Sequence, residues 1–587
     1  MINIFSVAPA RAAGLTNGDR EPGWAMRAIS DAIVVAGIVA LFGIIAFMLR
    51  GVNAPIGPQG VPATVSTDLA NLPYYALRSV FRMFVALAFS LLFTFIYGLV
   101  AARSRRLRMV LIPLLDILQS VPVLGFLSAT ISIWLVLFPG SILGVEAASV
   151  FAIFTSQAWN MTFSFYQSLR NEPSELQEMA RSMRLTRWQR FWKLDVPCSM
   201  IPLLWNCIMS VGGGWFFLTA SEMISVNNQT YALPGIGSFV AAAAEQQDLA
   251  KIGAAILVMV LVVLAIDFLL WKPLTAWAEK FRITQSGSVE EKRSAVLTLL
   301  RRSHISEVLG RVFAPLGEGL DRAMRVLGRT GGAFEAPAHR RAGDVAWSVA
   351  VAALVIFGAA ELVLFIAHGV GFSELGYAFV LGILTFLRVT LLTVVCSIIW
   401  VPVGVLIGMN ERAARVVQPV IQVLASFPAN FTFPFAVMFF AAAGVDINLG
   451  SILLMALGTQ WYILFNVIAG ASAIPDDMRE LARSLRMPWY LRWTRIYLPA
   501  VLGSWCTGGI TAAGGAWNAS IVSEVVTYGS TTLTATGLGS YIAAATVAGD
   551  MSRTIIGVAV MSFFVVAANR VFWRWIEGVA RRRFSLN

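Results

Sequence analysis

Charged residues are scarce in this chain of 587 residues, and their scarcity excludes a water-soluble protein. Only 13% of the residues are charged, whereas 58% are hydrophobic, and the mean hydropathy is +0.74. Soluble domains carry about 25% charged residues. The composition therefore predicts an integral membrane protein.

Histidine and cysteine are also rare, which argues against an enzyme or a metal protein. The three histidines, His304, His339 and His368, lie in a polar connector or at the end of an apolar run, so no Ser, His and acid set can be assembled. The four cysteines lie in or beside apolar runs without metal-ligand spacing; they are Cys198, Cys207, Cys396 and Cys506. We expect small, reduced core residues and no catalytic or metal site.

Lysine is also rare, and its placement excludes ATP binding by a phosphate loop. None of the five lysines follows a glycine, as the Gly-Lys pair of a P-loop requires. The chain therefore needs no cofactor of its own. The net charge of +12 comes from basic residues at the ends of apolar runs, which indicates membrane orientation and not nucleic-acid binding.

Long apolar runs, by contrast, are frequent, and each is long enough to cross a bilayer core of roughly 30 Å. The predicted spans are 29–49, 80–102, 110–138, 147–169, 198–222 and 252–271, then 345–367, 380–409, 416–443, 451–471, 500–523 and 554–575. Arginines follow the second span at 103–108, so this end of the span and the amino terminus are predicted to be cytoplasmic.

The second six spans repeat the first six. Residues up to the third span match at an offset of 306, as Arg82 matches Arg388, and later residues match at 302, as Glu222 matches Glu524. An even number of spans gives both halves the same orientation. The predicted parts are an amino-terminal cytoplasmic tail (1–28), a first half (29–272), a basic cytoplasmic linker (273–343), a second half (344–577) and a basic carboxy-terminal tail (578–587).

One polar insert occurs in each half, at 171–197 and 474–499. Leu176, Met179, Ala180 and Met183 form the apolar stripe of a short amphipathic helix, and the second copy repeats the pattern. The predicted helices cover 174–187 and 476–487. Basic residues in the second part of each insert, which are Arg187, Arg190 and Lys193 in the first and Arg492 and Arg495 in the second, indicate the cytoplasmic side. An ordinary interfacial helix is the alternative interpretation of a single copy.

These inserts resemble the EAA loop of bacterial ABC importer permeases. The matching residues are Glu178-Met179-Ala180 with Pro197, and Glu480-Leu481-Ala482 with Pro499. The resemblance implies an all-α fold like that of type I ABC importers, with about 12 transmembrane helices in two parallel pseudo-symmetric halves. It also implies coupling helices that dock on two ATP-binding cassette subunits or domains carrying Mg-ATP, with a periplasmic or lipoprotein substrate-binding protein as an optional partner.

The expected ATPase-coupling residues follow from the same match. They are Glu178, Ala180, Arg181, Met183, Glu480, Ala482, Arg483 and Leu485. The family usually has glycine six residues after the glutamate, whereas Arg184 and Arg486 stand here. How the two helices end is therefore left open by the sequence.

A finer resemblance is to the nitrate, sulfonate, taurine and bicarbonate permeases. Its marks are an arginine early in the second span, a proline break at Pro122 or Pro428, Trp-x6-Glu at the end of the fifth span, and a GIG or GLG turn before the last span. The resemblance implies two tandem permease units that import a small anion. It also implies a multi-pass protein of the bacterial cytoplasmic (inner) membrane with both termini in the cytoplasm.

Polar and aromatic residues within spans are the candidates for the substrate pathway. They are Trp159, Asn160, Trp215, Glu222, Trp461, Asn466, Trp517, Asn518, Glu524, Arg82 and Arg388. Each can instead pack or bond helices together. The two glutamates are expected to form gate or structural pairs, and the two arginines either attract an anion or reach towards the interface. Asp267 is expected to pair with Lys272.

Two other functions fit parts of the pattern. A secondary transporter with 12 spans would need coupling charges in the middle of the membrane, where charge is scarce. A membrane scaffold would leave the repeated amphipathic helix unexplained.

Overall fold

The fold was obtained as a computed structural model. The structure describes residues 24–50, 65–120, 123–226, 229–281, 294–304, 341–474, 476–576 and 578–579, with a few further positions of the connector. Over these residues the chain consists of α-helices, short 3-10 and π segments and two β-hairpins.

The first half is built from long helices joined by short surface elements. Its helices are α1 (Trp24–Arg50), α2 (Leu72–Arg103), α3 (Arg105–Ser120), α4 (Val123–Leu137), α5 (Leu143–Arg170), α6 (Ser174–Ser182), α7 (Arg187–Arg190), α8 (Val196–Ser221), α9 (Ile236–Glu245), α10 (Leu249–Ile266) and α11 (Lys272–Ala278). Strands β1 (Met223–Val226) and β2 (Gln229–Ala232) follow α8.

The second half repeats this order after the connector helix α12 (Ala295–Arg302). Its helices are α13 (Arg341–His368), α14 (Phe372–Gly408), α15 (Glu411–Ser426), α16 (Phe433–Ala443), α17 (Ile447–Ser472), α18 (Asp476–Ser484), α19 (Trp489–Arg492), α20 (Leu498–Ser523), α21 (Leu538–Ala548) and α22 (Met551–Ala567). Strands β3 (Val525–Tyr528) and β4 (Thr531–Thr534) follow α20.

The number of spans that meet a length and hydropathy criterion is lower than the predicted twelve. Within the described residues eight helices are long and apolar enough to cross a membrane, and the bent pair α15–α16 raises the number to nine. The predicted spans at α5, at α20 and at α3–α4 do not meet the criterion. Helices α5 and α20, with 28 and 26 residues, exceed the bilayer core in length, but they carry the small and polar residues of the interior.

The third span of the second half is broken at the predicted proline. Pro428 precedes a 3-10 turn (Ala429–Thr432), and the helices on either side meet at 78°. A proline lacks the backbone N–H that a continuous helix needs and restricts the residue before it. The break at Pro428 is confirmed, whereas Pro122 lies outside the described residues.

Each half has a core in which the same helices pack. In the first half α5 packs between α2 and α8, and in the second α17 packs between α14 and α20. Helices α1 and α13 stand at the periphery with most of their apolar residues exposed. The parallel, pseudo-symmetric arrangement is therefore present in the packing, and the membrane-spanning part is all-α.

Two antiparallel hairpins, which the sequence reasoning missed, close the ends of α8 and α20. Met223 pairs with Ala232 in the first, and Val525 pairs with Thr534 in the second. The second hairpin reaches the first half, where the Gly529 N–H donates to the Ala244 carbonyl over 3.0 Å. The first hairpin contacts α21 in return. The two halves are thus interlocked at this face.

The connector packs on the first half through α12. This helix contacts α1 and α11, and the Ser303 hydroxyl and the His304 N–H each donate to Asp31 over 2.7 Å. Most of residues 305–340 lie outside the described residues.

Candidate functional site

The two surface helices α6 and α18 present equivalent apolar side chains to solvent. Met179 and Met183 are 49% and 58% exposed in the first, and Leu481 and Leu485 are 56% and 64% exposed in the second. An apolar stripe at i and i+4 that faces solvent in both copies is typical of a docking surface.

Of the other predicted coupling residues, some are exposed on these helices and some are buried beneath them. Glu178 and Glu480 are exposed, as is Arg181. Ala180 and Ala482 are buried at 4% and 2%, so they fasten each helix to the protein. The side chain of Arg483 lies outside the described residues.

Both surface helices end earlier than predicted, at Ser182 and Ser484. The cause lies at Arg184 and Arg486, whose φ angles of 49° and 44° are left-handed, as at a helix-terminating glycine. The N–H of Leu185 then donates to the Ala180 carbonyl over 3.2 Å, and Met487 does the same to Ala482 over 3.1 Å. Arg184 and Arg486 thus adopt the left-handed conformation that is typical of glycine, and each surface helix ends there although the family's glycine is missing.

A buried ionic cluster anchors the first surface helix but not the second. Arg103 lies 2.6 Å from Asp195 and 3.6 Å from Glu172, and Arg190 lies 3.1 Å from Glu172 and 3.4 Å from Asp195. We call these four residues the basal cluster. In the second half the equivalent positions are Met409, Ile474, Arg492 and Tyr497, which cannot form it.

The basal cluster perturbs one of its carboxyl groups. Burial, followed by the negative charge of Asp195, raises the pKa of Glu172 to about 7, against the opposing effect of Arg103 and Arg190. The Glu172 side chain is fully buried and sits in the loop between α5 and α6. A group that titrates near neutral pH therefore lies at the base of the first surface helix.

At the opposite end of the spans, each half buries one glutamate in a shell of donors. Glu222 accepts hydrogen bonds from Ser79 (2.5 Å), Arg82 (2.8 Å) and the Gly237 N–H (2.6 Å). Both Arg82 and Glu222 are almost completely buried. The sequence did not predict this ion pair: Arg82 was expected to attract an anion or to reach towards the interface, whereas it is buried against Glu222.

The second half repeats this shell. Glu524 accepts from Thr385 (2.9 Å), Arg388 (3.0 Å) and the Ser540 N–H (3.0 Å). A buried, paired charge with satisfied hydrogen bonds is a structural element. Each shell therefore contains one ion pair, between Arg82 and Glu222 in the first half and between Arg388 and Glu524 in the second.

The shell of the first half contains one additional ion pair. Arg78 contacts Glu146, and Arg82 donates to Glu146 over 2.5 Å. The equivalent residues are Leu384 and Asn448, and Asn448 accepts from Arg388 over 2.6 Å. One positive and one negative charge are thus replaced together, which keeps both shells neutral.

Most other pathway candidates take part in packing. The Trp159 ring lies 5.7 Å from Phe93, and Trp461 lies 5.7 Å from Trp400. Asn466 donates to the Tyr462 carbonyl. Trp215 and Trp517 are buried at 1% and 2%.

Asn518 joins the halves, because it accepts from the Val123 N–H over 2.9 Å. Asp267 lies 3.2 Å from Lys272, so that predicted pair is confirmed.

Asn160 alone among the candidates lines a large cavity between the halves. The cavity measures about 670 Å³ and is bordered by α3, α5 and α8 of the first half and by α20 and the end of the last span of the second. It lies towards the ends of α5 and α22 that lead to the surface helices and the carboxy terminus.

Sequence reasoning missed several of its polar side chains, among them Asn206, Thr507 and Arg570. A comparison of the two halves could have identified them, because the residues at the equivalent positions differ in size or polarity; they are Gly508, Trp205 and Phe268.

The fold and these sites define a polytopic membrane permease with two fused units. Residues 94–270 and 400–584 match the family described as binding-protein-dependent transport system inner membrane component. The two matches together cover more than half of the chain, and the chain belongs to this family. The prediction of two tandem permease units is confirmed.

Individual relatives are similar to shorter parts of the chain. The nitrate import permease protein NrtB of Synechococcus elongatus is 31% identical over 21% of this chain and 43% of its own length. The bicarbonate transport system permease protein CmpB of the same organism is 29% identical over 31% of this chain and 63% of its own length. The taurine transport system permease protein TauC of Escherichia coli is 25% identical over 38% and 74%. The chain thus spans about half the length of the first two relatives.

Proposed function

We propose that this chain is the complete membrane part of an ABC importer, in which two ATP-binding cassette subunits or domains bind α6 and α18. ATP binding with Mg²⁺ on those partners closes them and moves the two coupling helices, and this movement changes the access of the cavity between the halves. The single observation that carries the proposal is the pair of equivalent, solvent-exposed apolar stripes on surface helices that occupy the same position in the two halves.

We further propose that the transported solute is a small anion. The names of the relatives, which mention nitrate, bicarbonate and taurine transport, support this class. The predicted orientation has both termini and both coupling helices on the cytoplasmic side of a bacterial inner membrane. A periplasmic or lipoprotein substrate-binding protein is the corresponding partner on the outer side.

The docking surface can be tested by a charge placed in both stripes. Met183→Asp combined with Leu485→Asp should abolish co-purification of co-expressed ATP-binding cassette subunits and ATP-dependent uptake into proteoliposomes. Both effects follow from burying two carboxylates in an apolar interface. Ser182→Lys with Ser484→Lys is the matched control, because both serines are exposed on the same helices outside the apolar stripe.

Retention of the ATPase and of uptake by the double aspartate variant would contradict the proposal. Uptake that depends on a proton or sodium gradient, with no ATPase subunit present, would support the alternative of a secondary transporter.

A further inference from the structure

The interface between the halves contains two crevices, of which one is open and one is closed. The open crevice is the cavity of about 670 Å³, lined by residues that include Asn569 and Trp573. The closed crevice holds only about 10 Å³ and is lined by residues that include Asp267 and Trp271. These residues are related by the offset of 302, so the closed crevice corresponds to one part of the open crevice under the pseudo-symmetry.

Side-chain size accounts for part of the difference. At the position that corresponds to another part of the open crevice, Trp205 of α8 contacts Phe465 of α17 across the interface, with ring centroids 6.3 Å apart. The equivalent pair is Thr507 and Phe163, and both of these residues line the open crevice. Replacement of an indole by a hydroxyl group leaves space at this position.

A second replacement lies near the centre of the interface. Tyr462 of α17 stands between glycines of α8 and α20, because a β-carbon built on Gly213 would lie 2.6 Å from its hydroxyl oxygen and one on Gly515 would lie 3.6 Å from its ring. The residue equivalent to Tyr462 is Asn160, which lines the open crevice. The larger residue fills the interface on one side, and the smaller residue faces the cavity on the other.

The chemistry of the two crevices differs as well. The open crevice has uncharged hydrogen-bonding side chains, which include Asn160, Gln167, Asn206, Thr507, Thr511 and Asn569. Its charged side chains among the described residues are Arg570 and Arg574. The closed crevice instead has Asp267, which accepts from Gln422 over 3.3 Å and pairs with Lys272.

Arg570 differs from the arginines of the outer shells. It is exposed, and it forms no ion pair with a described residue, whereas Arg82 and Arg388 are each held by a glutamate. A positive charge beside several amide and hydroxyl groups raises the local concentration of anions and supplies hydrogen bonds to their oxygen atoms. The volume also falls in the range of about 300–1,000 Å³ that small-molecule sites occupy.

We propose that the open crevice is a single, asymmetric site for a small oxyanion, with Arg570 as the charge that selects the anion and Asn160 and Thr507 among its hydrogen-bonding groups. The closed crevice has no equivalent role. The inference rests on the proposed transport function for its physiological meaning. The cavity and its charge selectivity can nevertheless be measured without any ATPase partner.

Cysteine labelling of the full chain in membrane vesicles tests the site. In a variant whose native cysteines are replaced by alanine, Thr507→Cys is compared with its counterpart Trp205→Cys. A sulfonate-bearing methanethiosulfonate reagent should modify the cysteine at position 507 roughly tenfold or more faster than the one at position 205. It should also modify position 507 faster than a trimethylammonium reagent does, because the basic lining concentrates anions. Adding Arg570→Gln should remove the preference for the anionic reagent.

Equal rates at the two positions, or a preference for the cationic reagent at position 507, would overturn the proposal. A transport assay supplies the second measurement. Thr507→Trp, which copies Trp205 of the first half, should abolish uptake of nitrate, bicarbonate and taurine while ATPase subunits still co-purify. Normal uptake by Thr507→Trp would refute the anion site without contradicting the docking of ATPase subunits. If the docking test fails instead, the labelling rates still decide whether the crevice attracts anions, because labelling needs no ATPase.

Discussion

At the scale of single residues, a close approach of backbone and carboxylate explains the repeated glycine turn. A β-carbon built on Gly235 would lie 2.2 Å from the Glu222 carboxyl carbon, and one on Gly537 would lie 2.3 Å from a Glu524 oxygen. Both glycines have extended φ angles that other residues tolerate. The requirement for glycine is therefore one of space, and it arises from the buried carboxylate.

Gly235→Ala is expected to destabilise the protein strongly. The added methyl group must displace Glu222 from Arg82 and from the N–H of Gly237, so we expect the apparent melting temperature in detergent to fall by roughly 5 °C or more. Gly253→Ala is the control, since a β-carbon at Gly253 has no neighbour within 4 Å. An equal effect of both substitutions would show that the Glu222 shell does not impose the glycine.

The additional charge pair of the first half leads to a second prediction. Glu146→Asn leaves Arg78 and Arg82 with a single carboxylate, and breaking a buried pair in this way costs about 3–5 kcal/mol. Combining it with Arg78→Leu recreates the neutral shell of the second half, so the double variant should be more stable than Glu146→Asn. Thermal unfolding of the two single variants and the double variant measures the coupling. If the two single substitutions lower the stability additively, charge balance is not the reason why both residues differ between the halves.

At the scale of elements, the ends of the two surface helices α6 and α18 depend on an arginine in the left-handed conformation. A left-handed conformation costs a residue with a β-carbon roughly 1–2 kcal/mol, and glycine avoids this cost. Arg184→Gly should therefore keep or raise the melting temperature, whereas Arg184→Val should lower it, because β-branched residues avoid positive φ. If both variants lower it equally, the arginine side chain and not the backbone is what the position requires.

The basal cluster predicts a pH dependence that belongs to the first half. Because burial raises the pKa of Glu172 from 4.5 to about 7, the folded state favours the protonated form. The stabilising effect is therefore fully present below about pH 4.5 and is lost as the pH rises to about 7. The groups facing Glu172 are Arg103 from α2, Arg190 from α7 and Asp195 from the segment before α8.

Glu172→Gln copies the protonated form and should flatten this pH dependence. We expect its melting temperature to exceed that of the unmodified protein at pH 8 and to approach it only below about pH 4.5, where the carboxyl group is protonated in both states. Glu175→Gln, at an exposed position of α6, should reproduce the pH profile of the unmodified protein. A glutamine variant that is less stable at pH 8 would show that the Glu172 anion stabilises the fold through its arginines.

At the scale of the whole molecule, the two halves are joined by interlocked contacts as well as by the connector. Asn518 accepts from the Val123 N–H, Asn430 donates to Thr219 over 2.7 Å, and the second hairpin bonds to α9. Cleavage at a protease site inserted after Gly317 should therefore leave the halves bound together during gel filtration. Asn518→Ala should promote their separation, because it leaves a buried backbone donor without an acceptor.

Asn466→Ala is the control for this experiment, since Asn466 bonds within its own helix to the Tyr462 carbonyl. Halves that separate immediately after cleavage of the otherwise unmodified chain would show that the connector provides the association.

Local patterns account for what the sequence could establish about this protein. Hydropathy and the stripe of Met179 and Met183 depend on neighbouring residues, and the offsets of 302 and 306 are found by comparing the two halves of the sequence. They predicted the membrane class, the two parallel halves and the surface helices. Helix ends were less predictable, because the left-handed arginines are recognised only from backbone geometry.

The tertiary structure decided which residues meet. The pairing of Arg82 with Glu222 spans 140 residues of sequence, and no local pattern distinguishes it from a gate or a substrate site. Likewise, the sequence showed that Asn160 and Tyr462 occupy equivalent positions, but only the packing of α8, α17 and α20 revealed that one fills the interface while the other faces a cavity. The sequence could not show this because the size of the cavity depends on long-range packing, that is, on the volumes of side chains brought together from both halves.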